Sequence, residues 1–154
     1  MWELQTAARI VSQEVGTGEY FRGSDDQVRI ASEYIAWTMR NRLEIGDPCV
    51  GCSVEMNLTA STYEETFPAY DPYRLQVMPD VPDPIVLQAV REVWNLPAGT
   101  PNPVNNADYI LGKYYYEANQ SRIAVAPVFH YFWIPLAGGN QQGIYFFAEW
   151  PVAQ

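Results

Sequence analysis

"VRIASEYIAWTMRNRL", Val28 to Leu43, decides how the rest of the chain must be arranged. Val28, Ala31, Ile35, Met39 and Leu43 recur at helical spacing, and Ile30, Tyr34, Ala36 and Trp37 widen the apolar face until it covers more than one side. A helix of that kind belongs near the centre of a domain, with Arg29, Glu33, Arg40 and Arg42 at its borders. Its start is marked by Ser24 and Gln27, three residues apart as in a capping box, with Asp25 and Asp26 placing negative charge at the positive end of the helix dipole.

Working outward, Leu4, Ala7, Ala8, Val11 and Val15 follow the same rhythm, with Ile10 widening the stripe, and predict a first helix over Leu4 to Val15. Gly16, Gly18 and Gly23 end it in a loop. From Glu44 to Asp83 the periodicity fades into a Pro-, Asp- and Tyr-rich excursion containing "FPAYDPYR" and "MPDVPDP". Asp83 as N-cap and Pro84 at the first position open a third helix that carries Val86, Ala89, Val90 and Val93 and stops near Leu96. The tail changes character. "YILGKYYYEA", "RIAVAPVFHYFWI" and "GIYFFAEW" are rich in β-branched and aromatic residues and read as strands, with "PLAGGNQQ" as a hairpin loop between the last two. Helices first and strands last is an α+β order, and 154 residues with 48% hydrophobic content suit one domain spanning 1–154.

Eighteen acidic residues against nine basic ones give a net charge of −9, which repels nucleic acid and anionic lipid. No uninterrupted apolar run reaches the ~18 residues of a spanning helix, so membrane insertion is not expected. The opening "MWELQTAARI" lacks the basic and apolar regions of a signal peptide, which leaves the location open. Cys49 and Cys52 form a C-x-x-C pair, but zinc wants four ligands and His130 is the single histidine. A redox dithiol would sit at a helix start in a βαβ pattern, whereas a Pro-rich stretch follows here. A local disulfide or two loop thiols is the plainer reading, and no metal or cofactor is called for. His130, in "VFHYFW", reads as a hydrogen-bonded structural residue. "GGNQQG" has neither the lysine nor the strand-to-helix setting of a phosphate loop. The three tyrosines from Tyr114 to Tyr116 would alternate across a strand, so that one or two of them pack in the core.

Glu14 is the residue out of place. It lies four residues after Ile10 and three after Val11, on the border of the apolar stripe, in a last helical turn whose partial charge disfavours an acid. Partial burial there raises a carboxyl pKa.

"AARIVSQEVG" (Ala7 to Gly16) and "IAWTMRNRL" (Ile35 to Leu43) resemble the spore-cortex-lytic, SleB-like cell-wall hydrolases. That catalytic domain opens with a helix ending in a glutamate, a small-residue loop, and a helix ending in Asn-Arg. "DPIVLQAV", "ADYILGKYYYEA" and "GIYFF" echo the family's later features. The detailed match covers the first forty residues. The chain departs from the family in "VGTGE" (Val15 to Glu19), where an arginine-glycine-glutamate pattern is usual, and at Gly143 to Phe146, which lack the family's histidine.

The resemblance implies a lysozyme-like fold and a glycosidase or lytic transglycosylase cutting the glycan strand of peptidoglycan, with Glu14 as general acid. If a second protein acid takes part, Glu19, Asp71, Glu117 and Glu149 are the candidates. Tyr70, Tyr73, Tyr115, Tyr116 and Trp133 would then stack on sugar rings. The alternative is a non-catalytic virion, surface or self-assembling subunit on a related fold, which the acidic, Tyr/Pro-rich composition suits. Oligomeric state is left open by either reading.

Overall fold

The computed structural model describes residues 2–15, 22–45 and 82–153. Helix α1 covers Trp2–Val15, α2 Asp25–Ile45 and α3 Pro84–Trp94. Strand β1 (Tyr109–Gly112) runs directly into α4 (Lys113–Ala118) and a 3₁₀ turn (Gln120–Arg122), before the hairpin of β2 (Phe129–Trp133) and β3 (Gln142–Phe147). The last strand is the central one: the order is β1-β3-β2, antiparallel throughout. The α+β order expected from the sequence is present as helices followed by a small antiparallel sheet.

Helix α2 is buried on most sides between Ala31 and Arg42, and packs against α1, α3 and β1. Its capping box is formed. Ser24 N donates to Gln27 Oε1 at 3.0 Å, and Gln27 N donates to Ser24 Oγ at 3.3 Å. Tyr34 then reaches across to the sheet, meeting Phe129 edge-on at 4.8 Å and Tyr131 at 5.5 Å. The inner sheet face (Ile110, Phe129, Tyr131, Trp133, Ile144, Phe146) and the apolar stripes of the three long helices form one core. A smaller cluster on the outer face gathers Tyr109, Leu111, Tyr116, Tyr145, Phe147 and Val152.

Three polar knots fix the helices. Asp83 caps α3 by accepting from Ile85 N at 2.9 Å, pairs with Arg22 at 3.5 Å, and donates its own N–H to Ser12 Oγ of α1. Arg40 donates to the carbonyls of Val93 and Pro97, bringing a cation to the negative end of α3. Asn41 Nδ2 donates to Ala107 O at 2.8 Å, and Asn41 Oδ1 accepts from Asn102 at 2.6 Å, which anchors the segment entering β1.

Two expectations are corrected. "KYYYEA" is not strand: after Gly112 the chain turns into α4, closed by Lys113–Glu117 pairing at 2.8 Å and by Asn119 donating to Tyr115 O at 2.9 Å. Local interactions of i,i+4 kind outweigh aromatic strand preference over so short a run. In "RIAVAPVFHYFWI" the ladder starts only at Phe129, and Ile123 makes an isolated bridge to Val152. Beyond Ile45, the excursion to Val81 lies outside the described residues, and Cys49 and Cys52 with it.

Phe146→Ala, which empties the contact between α2 and the sheet, is expected to cost about 3–5 kcal/mol in denaturant unfolding. Ser24→Ala is expected to cost about 1 kcal/mol.

Candidate functional site

Glu14, in the last turn of α1, is partly buried and opens onto a groove. The other walls come from distant parts of the chain: Leu111 and Gly112 of β1, Tyr115 of α4, Arg122 of the 3₁₀ turn, and Trp150 and Val152 of the C-terminal tail. The cavity holds about 560 Å³, within the range of small-ligand sites.

The tail wall is held by backbone. Ala124 N donates to Pro151 O and Ala153 N to Arg122 O, each at 2.8 Å, on either side of the Ile123–Val152 bridge. Trp150 meets the edge of Tyr109 at 5.5 Å. The guanidinium of Arg42 lies over the same Tyr109 ring, 4.3 Å from its centre. The "NR" of α2 thus supports the groove from behind: Asn41 sets the entry to β1, and Arg42 fixes the tyrosine on which Trp150 rests.

Of the residues singled out in the sequence, Glu14 and Tyr115 come together at this groove. Tyr116 turns away from it to pack at 4.1 Å on Tyr145 and 5.9 Å on Phe147. Trp133, at 5% exposure, lies in the core, where its ring is against Gly23, and does not line the groove. Strand alternation puts it on the same side as Phe129 and Tyr131, facing the helices. Tyr70 and Tyr73 lie outside the described residues, as do the acids Glu19 and Asp71. Glu117 is tied to Lys113 and borders a separate cleft, while Glu149 is exposed and does not line the groove. Among the described residues of the groove, Glu14 is the one acid. His130 is exposed on the outer sheet face, stacked on Phe132 at 4.7 Å rather than held in a core.

Sequence reasoning missed Leu111, Arg122, Trp150 and Val152. Trp150 had a signal, an aromatic beside Pro151 just past the last strand, but nothing local says that the tail folds back onto Ile123. Among the described residues, no three His, Cys, Asp or Glu side chains gather as metal ligands, and no described helix is long and apolar enough to cross a membrane. Compared with family models, with curated proteins and with solved structures, the chain matches none.

Two tyrosines of the sheet have raised pKa values. Burial is the main cause for both Tyr131 and Tyr145. Tyr34 and Asp26 add to it at Tyr131 against Arg29, and Glu117 and Tyr116 add to it at Tyr145 against Lys113. The folded protein therefore keeps these phenol protons where the unfolded chain releases them. Their contribution to stability is intact below the ordinary tyrosine value of 10.0 and is lost as pH rises above it through the raised folded-state values. Tyrosinate absorbance should show late-ionising groups, and Tyr145→Phe should remove one of them.

Proposed function

We propose that the chain is a SleB-like, lysozyme-like glycosidase or lytic transglycosylase acting on the glycan strand of peptidoglycan, with Glu14 as its acid. The observation that carries this reading is the position of Glu14 on a groove with Tyr115 and Trp150. A carboxyl in the final turn of a helix and partly withdrawn from water is suited to keep a proton. In the proposed step it passes that proton to the bridging oxygen as the C1–O bond breaks, and the alcohol of the next sugar leaves. The resulting carboxylate then takes a proton from the nucleophile that closes on C1, either water or a hydroxyl of the same sugar. Assistance from the sugar's own N-acetyl group replaces a second protein acid, in keeping with the single acid among the described groove residues. Tyr115 and Trp150 offer aromatic faces to the sugar rings, and Arg122 a cation to the carboxylates that decorate the strand.

The net charge of −9 favours a second reading, a non-catalytic surface or virion subunit on a related fold, because bacterial walls are themselves anionic. A turbidity and muropeptide-release assay separates the two. Native protein should clear purified walls, and Glu14→Gln should lose about 10²-fold or more of the rate. Release of nothing by native protein would sink the enzyme reading; equal activity of the variant would remove Glu14 from the chemistry.

A further inference from the structure

Helix α4 is a ridge with a depression on each side. Tyr115 faces the Glu14 groove, whereas Lys113, Tyr114 and Glu117 border a second cleft of about 540 Å³, whose far side is Asn140, Gln141 and Gln142 of the hairpin. We infer that this second cleft is a saccharide subsite, in which Tyr114 stacks on a sugar ring and the three amides bind its hydroxyl and N-acetyl groups.

Four observations carry the inference. Tyr114 is 85% exposed, the most exposed of the large hydrophobic side chains described, and lies on the cleft rather than on bare surface. Three consecutive residues that carry primary amides line one wall; an amide has two N–H donors and a carbonyl acceptor, and Gln142 Nε2 places one N–H on Asn140 O at 3.5 Å. A pyranose presents the complement of such a wall: alternating hydroxyl donors and acceptors at its rim, and an apolar C–H face for an aromatic ring. Lys113 and Glu117 are already paired at 2.8 Å, with the ammonium 5.7 Å from the centre of the Phe132 ring, so the cleft's two charges cancel. A site with no net charge is poorly suited to a phosphate or a free cation and well suited to a neutral polyol. Finally, the cleft shares α4 with the proposed catalytic groove, so one strand crossing the ridge would touch Tyr115 and then Tyr114. The choice of a glycan over other neutral polyols rests on the proposed function of the Glu14 groove.

The test uses the full chain carrying Glu14→Gln, so that a bound oligosaccharide is not consumed, and a tetramer of β-1,4-linked N-acetylglucosamine as probe. Titration calorimetry should give about tenfold weaker binding when Tyr114→Ala is added, equivalent to about 1.4 kcal/mol. Gln141→Ala should weaken it too. Leu136→Ala, exposed on the same hairpin loop but outside the cleft, should leave affinity unchanged. The side-chain amide signals of Asn140, Gln141 and Gln142 should shift as the sugar is added. Equal affinity of the Tyr114→Ala protein, immobile amide signals, or absence of binding at millimolar tetramer would each overturn the subsite. Native protein that clears no walls, while the tetramer still binds through Tyr114, would refute cleavage and uphold the subsite. Wall clearance with binding indifferent to Tyr114 would do the reverse.

Discussion

A guanidinium is buried near the C-terminal end of α2. Arg42 is 1% exposed, and a cation so placed costs several kcal/mol in lost hydration unless its surroundings replace the water. Part of that replacement is the π-face of Tyr109. The requirement runs outward from there. Tyr109 must enter β1 at a fixed point, so Asn41 and Asn102 hold the approach to the strand, and Tyr109 pairs in register with Phe147 of the central strand. Trp150 leans on the same ring and walls the groove. Through Tyr109, one buried charged side chain is linked to both the sheet and the groove.

The groove is assembled from three stretches far apart in sequence: Glu14 at the end of α1, the run from Leu111 to Arg122, and the tail from Trp150 to Val152. Its back is built on α2 and the strand ladder. Its outer rim is the tail from Trp150, tied to the 122–124 segment by the two backbone hydrogen bonds that make the Ile123–Val152 bridge. Few contacts of this kind make a rim easier to open than the core beneath it.

The helices were legible because their signals are local and redundant. The Ser24–Gln27 box, Asp83 before Pro84, and the spacing of Val86 to Val93 each forecast what formed. The hairpin was legible for the same reason. The segment from Lys113 to Ala118 was not, since three tyrosines favour a strand by composition while a lysine–glutamate pair four residues apart favours a helical turn. Trp133 shows the limit of alternation as a guide, because period two says that Phe129, Tyr131 and Trp133 share a face without saying which face meets the helices. Glu14 was picked out by being electrostatically awkward, and Tyr115 by its neighbourhood. The tail residues were invisible to both arguments, because a long-range fold-back leaves no periodic trace.

Gly143 lies opposite Phe132 in the hairpin, and the aromatic ring occupies the space where any side chain at 143 would begin. The ring covers the backbone that the glycine leaves bare and belongs to the outer aromatic surface with His130 and Tyr145. These two positions are therefore coupled: a side chain at 143 would have to displace the ring at 132, and with it the stacking on His130 and the edge contact with Tyr145.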